Sequence, residues 1–166
     1  MGTMVAMQVF GLALDEDSQV PILILKGEND TVFPIWIGGM EAMAISMALN
    51  NLTPPRPMTH DLLLSVVEKL GFTVVGVEIT SVQEGTYYAE LVLGRGEERV
   101  RIDCRPSDGV ALALRAKAGI FVAPDVLAAG ETRANQSFQE VLTDETSERW
   151  TEILAKYSLD DIKYKM

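Results

Sequence analysis

A strand that turns into a helix within six residues constrains this chain more than any other feature. From Glu98 onward Val100, Ile102 and Cys104 alternate with Arg99, Arg101 and Asp103, the two-residue period of a strand with one face buried. After Asp103-Cys104-Arg105-Pro106-Ser107-Asp108 the pattern changes to Gly109-Val-Ala-Leu-Ala-Leu-Arg-Ala-Lys-Ala118, a small-residue helix that Gly119 is placed to end. Pro106 suits the first helical position, where its missing N–H has no partner in any case. The junction therefore sets two carboxylates, a guanidinium and a hydroxyl beside a helix N-terminus, whose N–H groups and dipole favour an anion. The same groups are equally suited to capping and bracing the turn.

The remaining segments supply elements for that unit to pack against. Val5 to Leu14 and Val20 to Lys26 read as strands joined across Asp15-Glu-Asp-Ser-Gln19, with Pro21 at a strand start or sheet edge. Thr31 to Ile37 reads as a third strand, weakened by Pro34 in its middle. Gly38-Gly39 breaks the strand, and Met40 to Leu49 is helix-forming. Both halves thus run strand, Gly or Pro turn, acidic residue, Ala-rich helix. Glu41 with Ala42, Ala44 and Ile45 aligns with Asp108, Gly109, Ala111 and Leu112, a pattern consistent with loose internal duplication.

Pro54, Pro55 and Pro57 around Arg56 exclude helix and imply a stiff connector. Thr59 is the expected N-cap of a further helix, with His60 and Asp61 in its first turn. Leu62, Leu63, Val66, Val67 and Leu70 make its apolar stripe, and Gly71 its stop. Strands are expected over 72–79, 86–93 and 98–104, and a short one from Gly119 to Ala123 that Pro124 ends. Hairpins in a mixed or antiparallel sheet with two to three packed helices define an α+β class. Glu131 to Phe138 is polar without a period, and Ser147 to Leu154 reads as an amphipathic helix carrying Trp150. The expected organisation is one α+β domain over residues 4–130, then a polar linker and helical tail over 131–166.

Charge and cysteine usage narrow the partners. With 24 acidic and 14 basic residues the net charge is −10, which excludes indiscriminate nucleic-acid binding by the whole surface. A small basic groove, or a carboxylate-held metal that meets a phosphate, stays compatible with it. Cys104 is the only cysteine, so no internal disulfide framework exists, as befits a reducing cytoplasm. Its place on the apolar side of the strand marks a structural thiol. No signal peptide or spanning helix is visible, which implies a cytoplasmic location without a membrane. Zinc-type Cys/His spacing, a P-loop and a hydrolase nucleophile elbow are absent from the sequence.

Several of these blocks resemble a known family. Pro34-Ile-Trp-Ile-Gly38 is followed by Glu41-Ala42 with Ala44-Ile45, then by Arg56-Pro57 with Thr59-His60-Asp61. Asp103-Cys-Arg-Pro-Ser-Asp108 with Ala111-Leu-Ala-Leu-Arg115 completes the order. Together they resemble the bifunctional nuclease domain family over about residues 4 to 127, and the ending Asp160-Asp-Ile-Lys-Tyr-Lys-Met166 resembles the tail of bacterial members. The resemblance implies a compact α+β domain, oligomerisation, and cleavage of RNA and DNA. Cys104 and Gly109 stand where alanine is usual; neither change removes an ionisable group.

Cleaving a phosphodiester requires an activated water, charge relief on the phosphoryl oxygens and help for the leaving oxygen, all of which a carboxylate-held metal supplies. On that reading Asp103 and Asp108 are the expected ligands of Mg²⁺ or Mn²⁺, with Glu41 and Asp61 next. His60, the only histidine, is the candidate general acid or base. Arg56 and Arg105 are candidate phosphate clamps, with Ser107 as a further substrate contact. The alternative is a non-catalytic oligomeric module that binds an anion or a protein through the same cleft. The acidic surface and the lack of an aromatic-basic platform favour it. Met-, Ala- and Val-rich surfaces and Trp150 lead to the expectation of a homo-oligomer.

Overall fold

Two three-stranded meanders share one sheet in this computed structural model, which describes residues 2–15 and 17–137, the last seven by backbone alone. The first meander is β1 (Val5–Leu14), β2 (Pro21–Gly27) and β3 (Val32–Trp36), and the second is β4 (Thr73–Gln83), β5 (Thr86–Arg95) and β6 (Glu98–Cys104). Each is followed by a helix, α1 (Gly39–Leu49) and α3 (Pro106–Ala116), and α2 (Thr59–Lys69) is inserted between the halves. β7 (Gly119–Val122) then enters the middle, giving the order β3-β2-β1-β7-β4-β5-β6. It runs parallel to β4 and antiparallel to β1, and every other pairing is antiparallel. α4 (Pro124–Ser137) follows. The α+β class is therefore observed, with four helices among the described residues where two to three were expected.

One face of the sheet takes the helices. Leu23, Leu25, Phe33, Val77, Ile79 and Val122 pack there against Ala42 and Ile45 of α1, Val110 and Ala111 of α3, and Val126 and Leu127 of α4. Burying each large aliphatic or aromatic side chain stabilises the fold by about 1.5–3 kcal/mol. The alanines that both helices share let α1 lie close to α3, which positions the start of each beside the other. Leu91, Leu93 and Leu112 form a neighbouring cluster with Val67 of α2.

Local rules explain most boundaries, and tertiary packing explains the departures. Pro34 is accommodated because β3 is an edge strand, where its missing N–H breaks no second ladder. The α2 N-cap is Met58, not Thr59, and the Asp61 carboxylate accepts the Met58 N–H at 2.9 Å in place of a hydroxyl cap. α3 ends at Lys117 in the left-handed region (φ 54°). Gly119 belongs to β7, where a Cβ would lie 2.5 Å from the Phe121 ring, so its role is to seat that ring. Pro124 opens α4 instead of merely closing a strand, and the polar stretch from Glu131 continues that helix to Ser137. The expected tail helix at Ser147 to Leu154 lies outside the described residues.

The α2 stripe departs furthest from expectation. Val67 is buried, but Leu62, Leu63, Val66 and Leu70 are all exposed. Its 3.6-residue period is real, yet the stripe faces away from the described core.

Candidate functional site

Three helices begin in the same way around one cleft. Gly38, Met58 and Arg105 are the N-caps of α1, α2 and α3, none donating a side-chain cap, and the third residue of each helix is acidic: Glu41, Asp61 and Asp108. A carboxylate at that position faces the unpaired N–H groups and the positive end of the dipole. Two arginines then join the three starts. Arg105 grips Asp108 with Nε at 2.7 Å and Nη2 at 3.1 Å, and reaches Glu41 with Nη1 at 3.0 Å. Arg115 donates to Asp61 at 2.9 Å, to the Ala111 carbonyl at 2.9 Å and to the Ala44 carbonyl at 3.1 Å.

His60 completes the chain. Its Nε2 lies 2.9 Å from Oδ1 of Asp108. Burial alone raises the Asp108 carboxyl, but hydrogen bonds from Arg105 and His60 outweigh it and hold the group below the usual carboxylate range. An ionised Asp108 is an acceptor only, so Nε2 carries the proton of this bond, and in the neutral imidazole Nδ1 is the acceptor. Nδ1 has no partner among the described residues. Arg105 is 64% exposed at its side chain and commits three of its five N–H groups, leaving two for an incoming anion.

Glu41, His60, Arg105 and Asp108 line a cavity of about 540 Å³ whose lining also includes the apolar side chains of Met40, Met58, Leu63 and Ile102. Cys104 also lines it. Burial, then the charges of Asp108 and Asp103, push its thiol up to about 11, so it stays protonated at neutral pH and fills space as the sequence implied. A Cβ on Gly109 would run into the Val77 side chain and lie 3.2 Å from the Cys104 sulfur. The larger residue at 104 and the smaller one at 109 therefore fit each other.

Of the residues expected at a site, the fold gathers Glu41, His60, Arg105 and Asp108 directly, with Asp61 one step behind through Arg115. Asp103 separates from them. It pairs with Glu90, which pairs with Glu78, and strand alternation turns all three away from the face that receives Val100 and Cys104 among the helices. Asp103 is nevertheless among the residues that line the cavity. Arg56 is exposed in the connector and does not line it. Ser107 faces a neighbouring cavity.

Glu41 and Asp108 both close on the Arg105 guanidinium, and no group of three His, Cys, Asp or Glu side chains placed to share a metal ion occurs among the described residues. Sequence reasoning missed Arg115 as the tie between three helices. Its signal was a lone arginine in an otherwise apolar helix, at 10% side-chain exposure in the fold.

Comparison with known proteins bears on this arrangement. The family described as bifunctional nuclease domain matches residues 23–135. An uncharacterized protein of Mycobacterium tuberculosis is 38% identical over 161 residues, 94% of this chain and 96% of that protein. Bifunctional nuclease 1 of Arabidopsis thaliana is 33% identical over 107 residues, 61% of this chain and 33% of its own length. Bifunctional nuclease 1 of Oryza sativa subsp. japonica is 31% identical over 116 residues, 67% of this chain and 35% of its own. The matched region is thus about a third of those plant proteins. No described helix is long and apolar enough to cross a membrane.

Proposed function

Because the chain belongs to the bifunctional nuclease domain family, we propose that it hydrolyses phosphodiester bonds of RNA, DNA or both in the cleft where α1, α2 and α3 begin. The observation that carries this reading is the His60–Asp108 pair at 2.9 Å beside a guanidinium with two uncommitted N–H groups. Asp108 fixes the imidazole tautomer, and Nδ1 takes the proton from a water or a ribose hydroxyl as it attacks phosphorus. The imidazolium formed is stabilised by the Asp108 carboxylate and returns its proton to the leaving oxygen. Arg105 places its free N–H groups on the phosphoryl oxygens, where negative charge accumulates. Glu41 holds Arg105 from the side away from His60. Asp61 and Arg115 act on position alone, by fixing the first turn of α2 that carries His60.

A second reading, a non-catalytic module that binds an anion or a protein through this cleft, draws support from its apolar lining residues Met40, Met58, Leu63 and Ile102. One experiment separates them. Purified protein and His60→Gln are incubated with single-stranded RNA and DNA, with and without chelator. Cleavage by the wild type that His60→Gln loses supports the enzyme, and chelator resistance supports its working without Mg²⁺ or Mn²⁺. Absence of cleavage under every condition leaves the binding module.

The proposed setting is the cytoplasm, in a homo-oligomer. Exposed Leu62, Leu63, Val66 and Leu70 form an apolar row on α2, the kind of surface that association covers. Light scattering of wild type and Leu62→Glu/Val66→Glu tests it; a monomeric wild type at micromolar concentration counts against it.

A further inference from the structure

The His60 cleft presents more apolar surface than its polar chemistry uses. Met40, Leu63 and Ile102 line it at 68%, 43% and 45% exposure, and Met58 lines it partly buried. Each of the first three stands close along the chain to a charged member of the site: Met40 beside Glu41, Leu63 one helical turn after His60, and Ile102 three residues before Arg105. Side chains this exposed gain little from folding, so the core does not account for their apolar character. The same cavity holds His60, whose Nδ1 has no partner among the described residues, and Arg105, with two N–H groups that no described residue engages. Glu41 and Asp108 oppose an anion there, and their bonds to Arg105 offset those charges. Asp103 lines the cavity too, at a strand position directed to the other side of the sheet. An occupant complementary to this lining joins an anionic group to an apolar body, and about 540 Å³ is within the range of small-ligand pockets.

We propose that Met40, Met58, Leu63 and Ile102 form a nucleobase pocket beside the position where Arg105 and His60 meet a phosphate. The assignment rests on the reading of this cleft as a phosphodiester site, and it adds which strands that site takes. A base offers apolar ring faces, but in a duplex they are stacked on their neighbours. The pocket therefore receives bases of single or unstacked strands. Thioether side chains make favourable contacts with aromatic rings and adapt to rings of different shape, so the pocket selects for a base and not for one base.

The test reads binding apart from cleavage, in the full chain carrying His60→Gln, by the fluorescence anisotropy of end-labelled RNA and DNA oligonucleotides. Each is supplied as a single strand, as the same strand with abasic residues, and as a duplex. The base-bearing single strand is expected to bind on the order of tenfold more tightly than the abasic strand and the duplex, the size of a modest change in an apolar pocket. Leu63 belongs also to the α2 row, so the variant is Met40→Gln/Ile102→Thr, which conserves side-chain shape at two exposed positions outside that row. It should erase the preference for bases and leave the abasic affinity unchanged. An abasic strand or duplex bound as tightly as the base-bearing single strand, or a variant that keeps the preference, overturns the pocket. The last result together with a smaller particle in light scattering would assign Met40 and Ile102 to a contact between subunits. Wild-type cleavage separates the two readings. Base-dependent binding without cleavage overturns the nuclease and leaves the pocket; cleavage of base-bearing and abasic strands at equal kcat/KM does the reverse.

Discussion

Arg105 and Arg115 each hold carboxylates at helix starts, yet replacing them with methionine should have opposite consequences. Arg115→Met keeps most of the stem and removes a guanidinium at 10% exposure that ties α2 through Asp61, α1 through Ala44 and its own helix through Ala111. Breaking a buried pair destabilises by about 3–5 kcal/mol, mostly through the charge left behind. Asp61 is 28% exposed and still accepts the Met58 N–H, so water recovers part of that loss and about 2–4 kcal/mol remains. Against a total stability of roughly 5–15 kcal/mol this is a large change. Arg105 is 64% exposed, where an ion pair contributes at most about 1 kcal/mol. Its loss should instead lower cleavage, by on the order of 10²-fold for a group that meets transition-state charge. Urea unfolding of both variants gives the stabilities, and repeating it in 1 M salt should shrink only the Arg105 effect. Arg115→Met within about 0.5 kcal/mol of wild type, or Arg105→Met as damaging as Arg115→Met, would refute the reasoning.

His60→Gln should lower the rate by about 10²- to 10⁴-fold with a normal melting curve, the mark of a lost general base; full activity would remove it from the mechanism. The Asp108 carboxyl is depressed in the fold, so its contribution to stability is complete above the unfolded value near 4 and disappears as pH falls through the lower folded value. Asp108→Asn should therefore flatten the acid limb of a melting-temperature profile, and an unchanged limb would contradict the assigned bonds. Gly109→Ala drives a methyl into Val77 and the Cys104 sulfur, which should destabilise by about 1–3 kcal/mol through overpacking; chemical denaturation reads this directly. Asp103→Asn should leave cleavage intact in buffer and in chelator alike, whereas inactivation by either would restore Asp103 and a metal to the chemistry.

Much of the fold was legible in the sequence because its determinants are local. Alternation in 98–104, Pro106 at a first helical position, Gly71 at φ 82° after α2, and Gly96 at φ 57° between β5 and β6 each act through nearest neighbours. The α2 stripe shows where that reasoning stops: periodicity announces an apolar face, but only the packing of α1, α3 and α4 decides whether the domain covers it. The same division runs through the site. Residue types named Glu41, His60, Asp61, Arg105 and Asp108 as candidates, and helix-start chemistry explains why acids sit third in all three helices. Which groups meet was not readable, since Glu41 and Arg105 are 64 residues apart, Asp61 and Arg115 54, and His60 and Asp108 48. Those pairings exist because β7 enters between the two meanders and α1 packs on α3. Asp103 and Asp108, five positions apart, looked like one ligand set in the sequence. The strand directs the first to one face of the sheet and the helix directs the second to the other, because a side chain's direction is set by the element that carries it, not by its distance along the chain.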